Sequence, residues 1–154
     1  MGGARSLFGQ LGVGDLFPPL TGIAVEGTLP AMEKQVVVVD FWASWCAPCK
    51  ASFPALSRLQ AEYDPSRVVV LGVSVDQKVN DYAEFLAKMR PAFSVVRDRA
   101  QQLVSLVQVP AMPTTYVIGR DGRIRAIITG YHGNATDSLL RSIVDQVLAE
   151  HLSV

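Results

Sequence analysis

The most apolar stretch of the chain is Val36-Val37-Val38-Val39-Asp40-Phe41-Trp42. It shows no polar alternation and so predicts a strand buried on both faces. Residues 67–75, with Val68-Val69-Val70-Leu71 at their start, predict a second such strand. Between the two, Phe53, Leu56, Leu59, Gln60 and Tyr63 recur at helical spacing, which predicts a helix over 47–63. Val79, Tyr82, Phe85, Leu86 and Met89 share one helical face, closed off by Pro91. Residues 93–96 read as a short strand, 100–107 as a short helix and 114–118 as a strand. The Asp121-Gly122 pair signals a tight hairpin, so residues 123–129 should return antiparallel. Leu139, Leu140, Ile143, Val144, Val147 and Leu148 form one stripe on a C-terminal helix. Ahead of the first strand, residues 13–30 are rich in Gly and Pro and predict a loop with a small hairpin. Residues 1–12 read as a flexible tail or an expression remnant.

The element order is thus β-α-β-α-β-α-β-β-α. Early β-α-β units imply parallel strands joined by right-handed crossovers, and the hairpin adds an antiparallel edge. The fold class is α/β, a three-layer domain whose mixed central sheet carries helices on both faces.

Composition narrows the function classes. The 154 residues are 49% hydrophobic, enough for one domain with its own core. Fourteen Lys and Arg balance fourteen Asp and Glu, which argues against a dedicated nucleic-acid binder. No stretch reaches the ~18 apolar residues of a membrane span. The two cysteines, Cys46 and Cys49, cannot make a secreted disulfide framework. His132 and His151 are too remote from them for a usual zinc pattern and read as surface residues, so no metal site is expected. Arg97-Asp98-Arg99 reads as a solvated loop.

What remains is Trp45-Cys46-Ala47-Pro48-Cys49-Lys50, placed where a buried strand gives way to a helix. A helix N-terminus offers free amide donors and partial positive charge, which stabilise a thiolate. Cys46 sits at that edge, and Cys49 lies one turn further in. Pro48 suits a first helical turn, where a missing N–H costs little. The roles follow: Cys46 attacks a substrate disulfide, and Cys49 then resolves the mixed disulfide. Asp40, a carboxylate inside a buried strand, should ionise only at raised pH and could relay a proton to or from Cys49. Pro113 precedes a strand, and a cis bond there would turn the Met112 backbone toward a bound peptide. Pro110 is the rival position. Trp45 should be partly exposed beside Cys46, with Trp42 in the core. Lys50 could lower a thiolate pKa or stand as a solvated helix residue. Pro54 falls inside the helix and should kink it.

The segment Val39–Lys50 closely resembles the active-site segment of thioredoxin-fold proteins. Pro54 matches that family's helix-kinking proline, and Met112-Pro113-Thr114 its cis-proline loop. The resemblance covers roughly residues 13–152 and defines a thioredoxin-like domain over 13–154. The TlpA/ResA-like subgroup fits best. Its marks are the Gly/Pro-rich lead-in, a helix-strand insert at about Gln77 to Val96, and the segment Pro113–Gly122. The resemblance implies a bacterial thiol–disulfide oxidoreductase, mainly a reductase of protein disulfides, recharged by an upstream dithiol donor. It needs no cofactor beyond the Cys46–Cys49 pair. An extracytoplasmic, periplasmic location is implied, with a leader absent from this chain; cytoplasmic is the alternative. Thr114 and Thr115 stand where the cytochrome-maturation branch usually has a Glu. Asp40 keeps a thioredoxin-like acid that many TlpA-like proteins lack. Ala47-Pro48 matches neither the Gly-Pro of thioredoxins nor the Pro-Pro common in the subgroup. Two alternatives stand beside the reductase: a disulfide oxidase or isomerase, and a metal or haem-pathway binding module using the two thiolates. A peroxiredoxin would need a peroxidatic Cys with threonine and arginine partners, a set not found in the sequence.

Overall fold

The two continuous apolar runs become the central strands of the sheet. The computed structural model describes residues 9–150. In it the elements are β1 (Val25–Glu26), β2 (Val36–Trp42), α1 (Ala47–Glu62), β3 (Val68–Ser74) and α2 (Val79–Met89), then β4 (Ser94–Asp98), α3 (Gln102–Val107), β5 (Thr114–Ile118), β6 (Ile124–Thr129) and α4 (Asn134–Leu148). Every residue of β2 and β3 is buried, as their Val-rich runs predict, Asp40 and Ser74 included. The sheet order is β1-β4-β3-β2-β5-β6. β2, β3 and β4 run parallel, while β5, β6 and β1 pair antiparallel with their neighbours.

Strand pleating sorts the side chains of β2 between two layers. Val37, Val39 and Phe41 face a core built with Leu103 and Val107 of α3 and with Leu11, Phe17 and Leu20. Val36 and Val38 face the other way, against Leu56 and Leu59 of α1 and Leu140, Val144 and Val147 of α4. Trp42 continues that second face and meets Phe85 of α2. Asp40 has the same parity, so its carboxyl points into the layer that holds α1.

Three expectations change. No hairpin forms within residues 13–30: β1 instead pairs with β4, Val25 opposite Asp98 and Glu26 opposite Arg97. Residues 1–8 lie outside the described residues, but Leu11, assigned to the tail, packs into the core. Arg97-Asp98-Arg99 is not a solvated loop. Arg97 and Asp98 close β4 and are buried, and only Arg99 is exposed. Burial is tolerated because both charges are fully engaged. Arg97 Nε and Nη2 donate to the two Glu26 carboxylate oxygens, each at 2.8 Å. Asp98 accepts from the backbone amides of Gln102, Leu103 and Val104, the first turn of α3. These partners are invisible in a window reading because Glu26 lies 71 residues from Arg97.

Gly72 in β3 marks a close approach. A Cβ there would come within 3.1 Å of both Trp42 Nε1 and Phe93 Cε2. Gly72→Ala is expected to overpack this layer and destabilise the protein by about 1–3 kcal/mol, measured by urea unfolding.

Candidate active site

The loop between β2 and α1 is only Ala43-Ser44-Trp45-Cys46, and each step of it is fixed. Cys46 is the N-cap of α1, with extended backbone, and its Sγ accepts from the Cys49 amide at 3.2 Å. It thus takes the place usually held by a Ser, Thr or Asp oxygen, satisfying one of the helix's free amides. Cys46 and Cys49 are disulfide-bonded, with their Cα atoms 5.2 Å apart. Cys46 is 5% exposed and Cys49 is fully buried, so what opening the pair has lies at Cys46. Ala47 and Pro48 are exposed in the first turn, and α1 runs on through Pro54.

Trp45 stands 74% exposed beside Cys46, while Trp42 is fully buried. Trp42 and the two cysteines share one cluster with Phe53 and Phe85. The ring centroid of Trp42 lies 4.8 Å from that of Phe53, 4.7 Å from Phe85 and 6.0 Å from Tyr82. Two of these rings come from α2, so the helix-strand insert supplies the floor beneath the disulfide. Lys50 is exposed on α1 and lines an open groove with Trp45, Asp81, Glu84 and Lys88.

The Met112–Pro113 peptide bond is cis, and Pro110 is exposed. Pro113 is buried and its carbonyl accepts from the Gly130 amide at 2.7 Å. Met112, half-buried, packs against the cluster that holds Cys46 and Cys49. Asp40 is 1% exposed. Its Oδ1 accepts from the Thr115 hydroxyl at 2.9 Å, and its Oδ2 has no hydrogen-bond partner. Burial pushes its pKa up to about 7 against the smaller opposing effect of the Thr115 bond. His132 is exposed, and His151 lies outside the described residues. Among the described residues no three His, Cys, Asp or Glu side chains converge as metal ligands, and no helix is long and apolar enough to cross a membrane.

Sequence reasoning missed Asp76. It is buried, yet it gathers the site's approach loop. Its carboxylate accepts from the Ser44 amide at 3.0 Å, the Ser44 hydroxyl at 2.7 Å and the Ser74 hydroxyl at 2.7 Å. Arg97 Nη1 donates to its carbonyl at 3.1 Å. A carboxylate two residues past a Val-rich strand was the available signal. Asp76→Ala would strand the Ser44 and Ser74 donors. A loss of about 2–4 kcal/mol is expected in denaturant unfolding.

The AhpC/TSA family profile matches residues 13–127. The chain belongs to the AhpC/TSA family. It is 35% identical over 102 residues to the thiol-disulfide oxidoreductase ResA of Oceanobacillus iheyensis, an alignment covering 66% of this chain and 53% of that protein. The chain spans about half the length of the first curated relatives it matches. A crystal structure described as a thiol:disulfide interchange protein DsbE from Chlorobium tepidum superposes with a TM-score of 0.78. It is 32% identical, over 91% of this chain and 100% of that one. StoA from Bacillus subtilis, 20% identical and with a TM-score of 0.65 over 79% of this chain and 96% of its own, shares the fold. The family match and these neighbours agree with the thioredoxin-like, three-layer α/β architecture read from the sequence.

Proposed function

We propose that this chain is a thiol–disulfide oxidoreductase working mainly as a reductase of protein disulfides. The observation that carries the reading is the asymmetric sulfur pair: Cys46, 5% exposed, caps α1 and is bonded to a fully buried Cys49. In the reduced protein the Cys46 thiolate, favoured by the helix N-terminus, attacks one sulfur of a substrate disulfide and expels the other as a thiolate. Cys49 then attacks Cys46 Sγ, releases the second substrate thiolate and closes the internal disulfide. Asp40 takes the proton that Cys49 must lose. The Met112 backbone, beside Pro113, and the exposed Trp45 ring receive the substrate chain. Ala47, Pro48 and Lys50 shape the first turn, and Lys50 adds positive charge near Cys46. No cofactor is required, and an upstream dithiol donor returns the pair to the reduced state. An extracytoplasmic, periplasmic setting fits the likeness to ResA. A redox titration tests the direction. A potential below the glutathione poise of about −220 to −260 mV supports the reductase, and one well above it assigns an oxidase or isomerase instead.

A further inference from the structure

β5 runs beside β2 with Thr115 directly opposite Asp40. Both side chains fall in the layer that α1 and α4 cover. Their neighbours in that layer are apolar: Val38 and Val117 on the strands, Leu56 on α1 and Leu140 on α4. Thr115 is itself buried, so its hydroxyl must find an acceptor inside the protein. It donates to Asp40 Oδ1 at 2.9 Å, while Asp40 Oδ2 accepts from nothing. Thr114, one position earlier, is used differently: its hydroxyl donates to the Ala111 carbonyl at 2.7 Å, beside the cis bond.

The other polar groups around Asp40 are engaged elsewhere. Ser52, which lines the same small cavity, donates its hydroxyl to the Cys49 carbonyl at 2.8 Å. The charged and titratable groups on that cavity are Arg58 from α1, Tyr131 from the loop after β6, and Asp137 and Arg141 from α4. The Tyr131 hydroxyl donates to Asp137 Oδ2 at 3.1 Å, Arg58 Nη2 lies 3.9 Å from the same oxygen, and Arg141 pairs with Glu62. β3 sets Gly72 against Asp40 and offers no side chain. Among the described residues, Thr115 is thus the one hydrogen-bond donor to this carboxyl.

That single bond makes the two oxygens unequal. A hydroxyl donated to Oδ1 favours the ionised carboxyl, and it occupies the oxygen that would otherwise compete for a proton. We propose that Thr115 is a positioning residue for the reaction: its hydroxyl holds Asp40 by Oδ1 and leaves Oδ2 as the atom that takes the Cys49 proton. The inference rests on the reading of Asp40 as the base for Cys49. The step balances. The Cys49 thiol gives its proton to Oδ2, the Cys49 thiolate bonds to Cys46 Sγ, and the bond from Cys46 to the substrate breaks to release a substrate thiolate.

Thr115→Val replaces the hydroxyl with a methyl in an apolar layer and changes no charge. The Asp40 carboxyl is followed by 13C NMR in the oxidised protein, where neither cysteine titrates. Its midpoint, about 7 in the wild type, should rise by about one pH unit. Stopped-flow resolution of a preformed Cys46 mixed disulfide gives the second readout. Because less of the carboxyl is ionised, the rate should fall about fivefold at pH 7 and return to within about twofold of wild type at pH 9. Thr115→Ser should restore both values, and Thr115→Ala repeats the test if the valine variant does not fold. An unmoved midpoint overturns the role of Thr115 and leaves Asp40 as the base. A raised midpoint with an unchanged rate at pH 7 overturns Asp40 as the base. Equal slowing at pH 7 and pH 9, not restored by serine, overturns positioning in favour of a packing defect.

Discussion

On the proposed function, replacing Cys46 with Ser should reduce insulin-disulfide reduction to the uncatalysed background, and replacing Cys49 with Ser should trap the substrate on Cys46. The two outcomes differ because the sulfurs are not equivalent. Cys46, at the helix N-cap, is the one with an opening to the surface, while Cys49 is sealed beneath it. A hydroxyl at position 46 is not ionised near neutral pH, so no first attack occurs. With Cys46 present and Cys49 absent, the first attack proceeds and nothing resolves it. Mass spectrometry of the Cys49→Ser variant mixed with a disulfide substrate should show a covalent adduct at Cys46, released by dithiothreitol. An adduct that forms equally well on Cys49 when Cys46 is replaced would remove the asymmetry on which the mechanism depends.

Asp40→Asn should make the protein more stable and a worse enzyme. Burial raises the Asp40 pKa from 3.8 to about 7, so the folded state keeps a proton that the unfolded chain releases. A raised pKa favours the folded state in full below the unfolded value. That contribution is lost as pH rises from about 4 to about 7 and is flat above it. The ionised carboxylate at pH 8 therefore costs roughly 4 kcal/mol relative to the protonated acid. Asn carries no such cost. The gain in denaturant-measured stability over wild type should be several kcal/mol at pH 8 and should shrink toward pH 4. On the proposed role of Asp40 as the base for Cys49, resolution of the mixed disulfide should slow by roughly a hundredfold. A stability difference that does not vary with pH would show that Asp40 is not held in the raised state.

Most of the fold was legible because its strongest signals are local. The unbroken Val runs of β2 and β3, the stripe on α4 and the Asp121-Gly122 turn each declare themselves within a few residues. The Cys46-Ala47-Pro48-Cys49 segment and Asp40 were legible for the same reason. What escaped depends on partners far apart in the chain. Glu26 and Arg97 look like two surface charges until β1 and β4 are paired. Asp76 looks like a loop residue until Ser44, 32 positions earlier, is brought to it. The part of α2 in flooring the disulfide is also hidden. Its stripe of Tyr82 and Phe85 shows a buried face but not that Trp42 is what it buries. The lead-in segment misled for a related reason: isolated apolar residues such as Leu11 and Phe17 carry no period, yet they close one face of the sheet.

The most direct test is pH-dependent alkylation of the reduced protein with iodoacetamide, with each modified cysteine identified by mass. Cys46 should react first, with an apparent pKa below the ordinary thiol value of about 8.5, while Cys49 stays unmodified in the folded state. Equal reactivity of the two thiols, or a Cys46 pKa at or above the ordinary value, would contradict the assignment of Cys46 as the attacking sulfur.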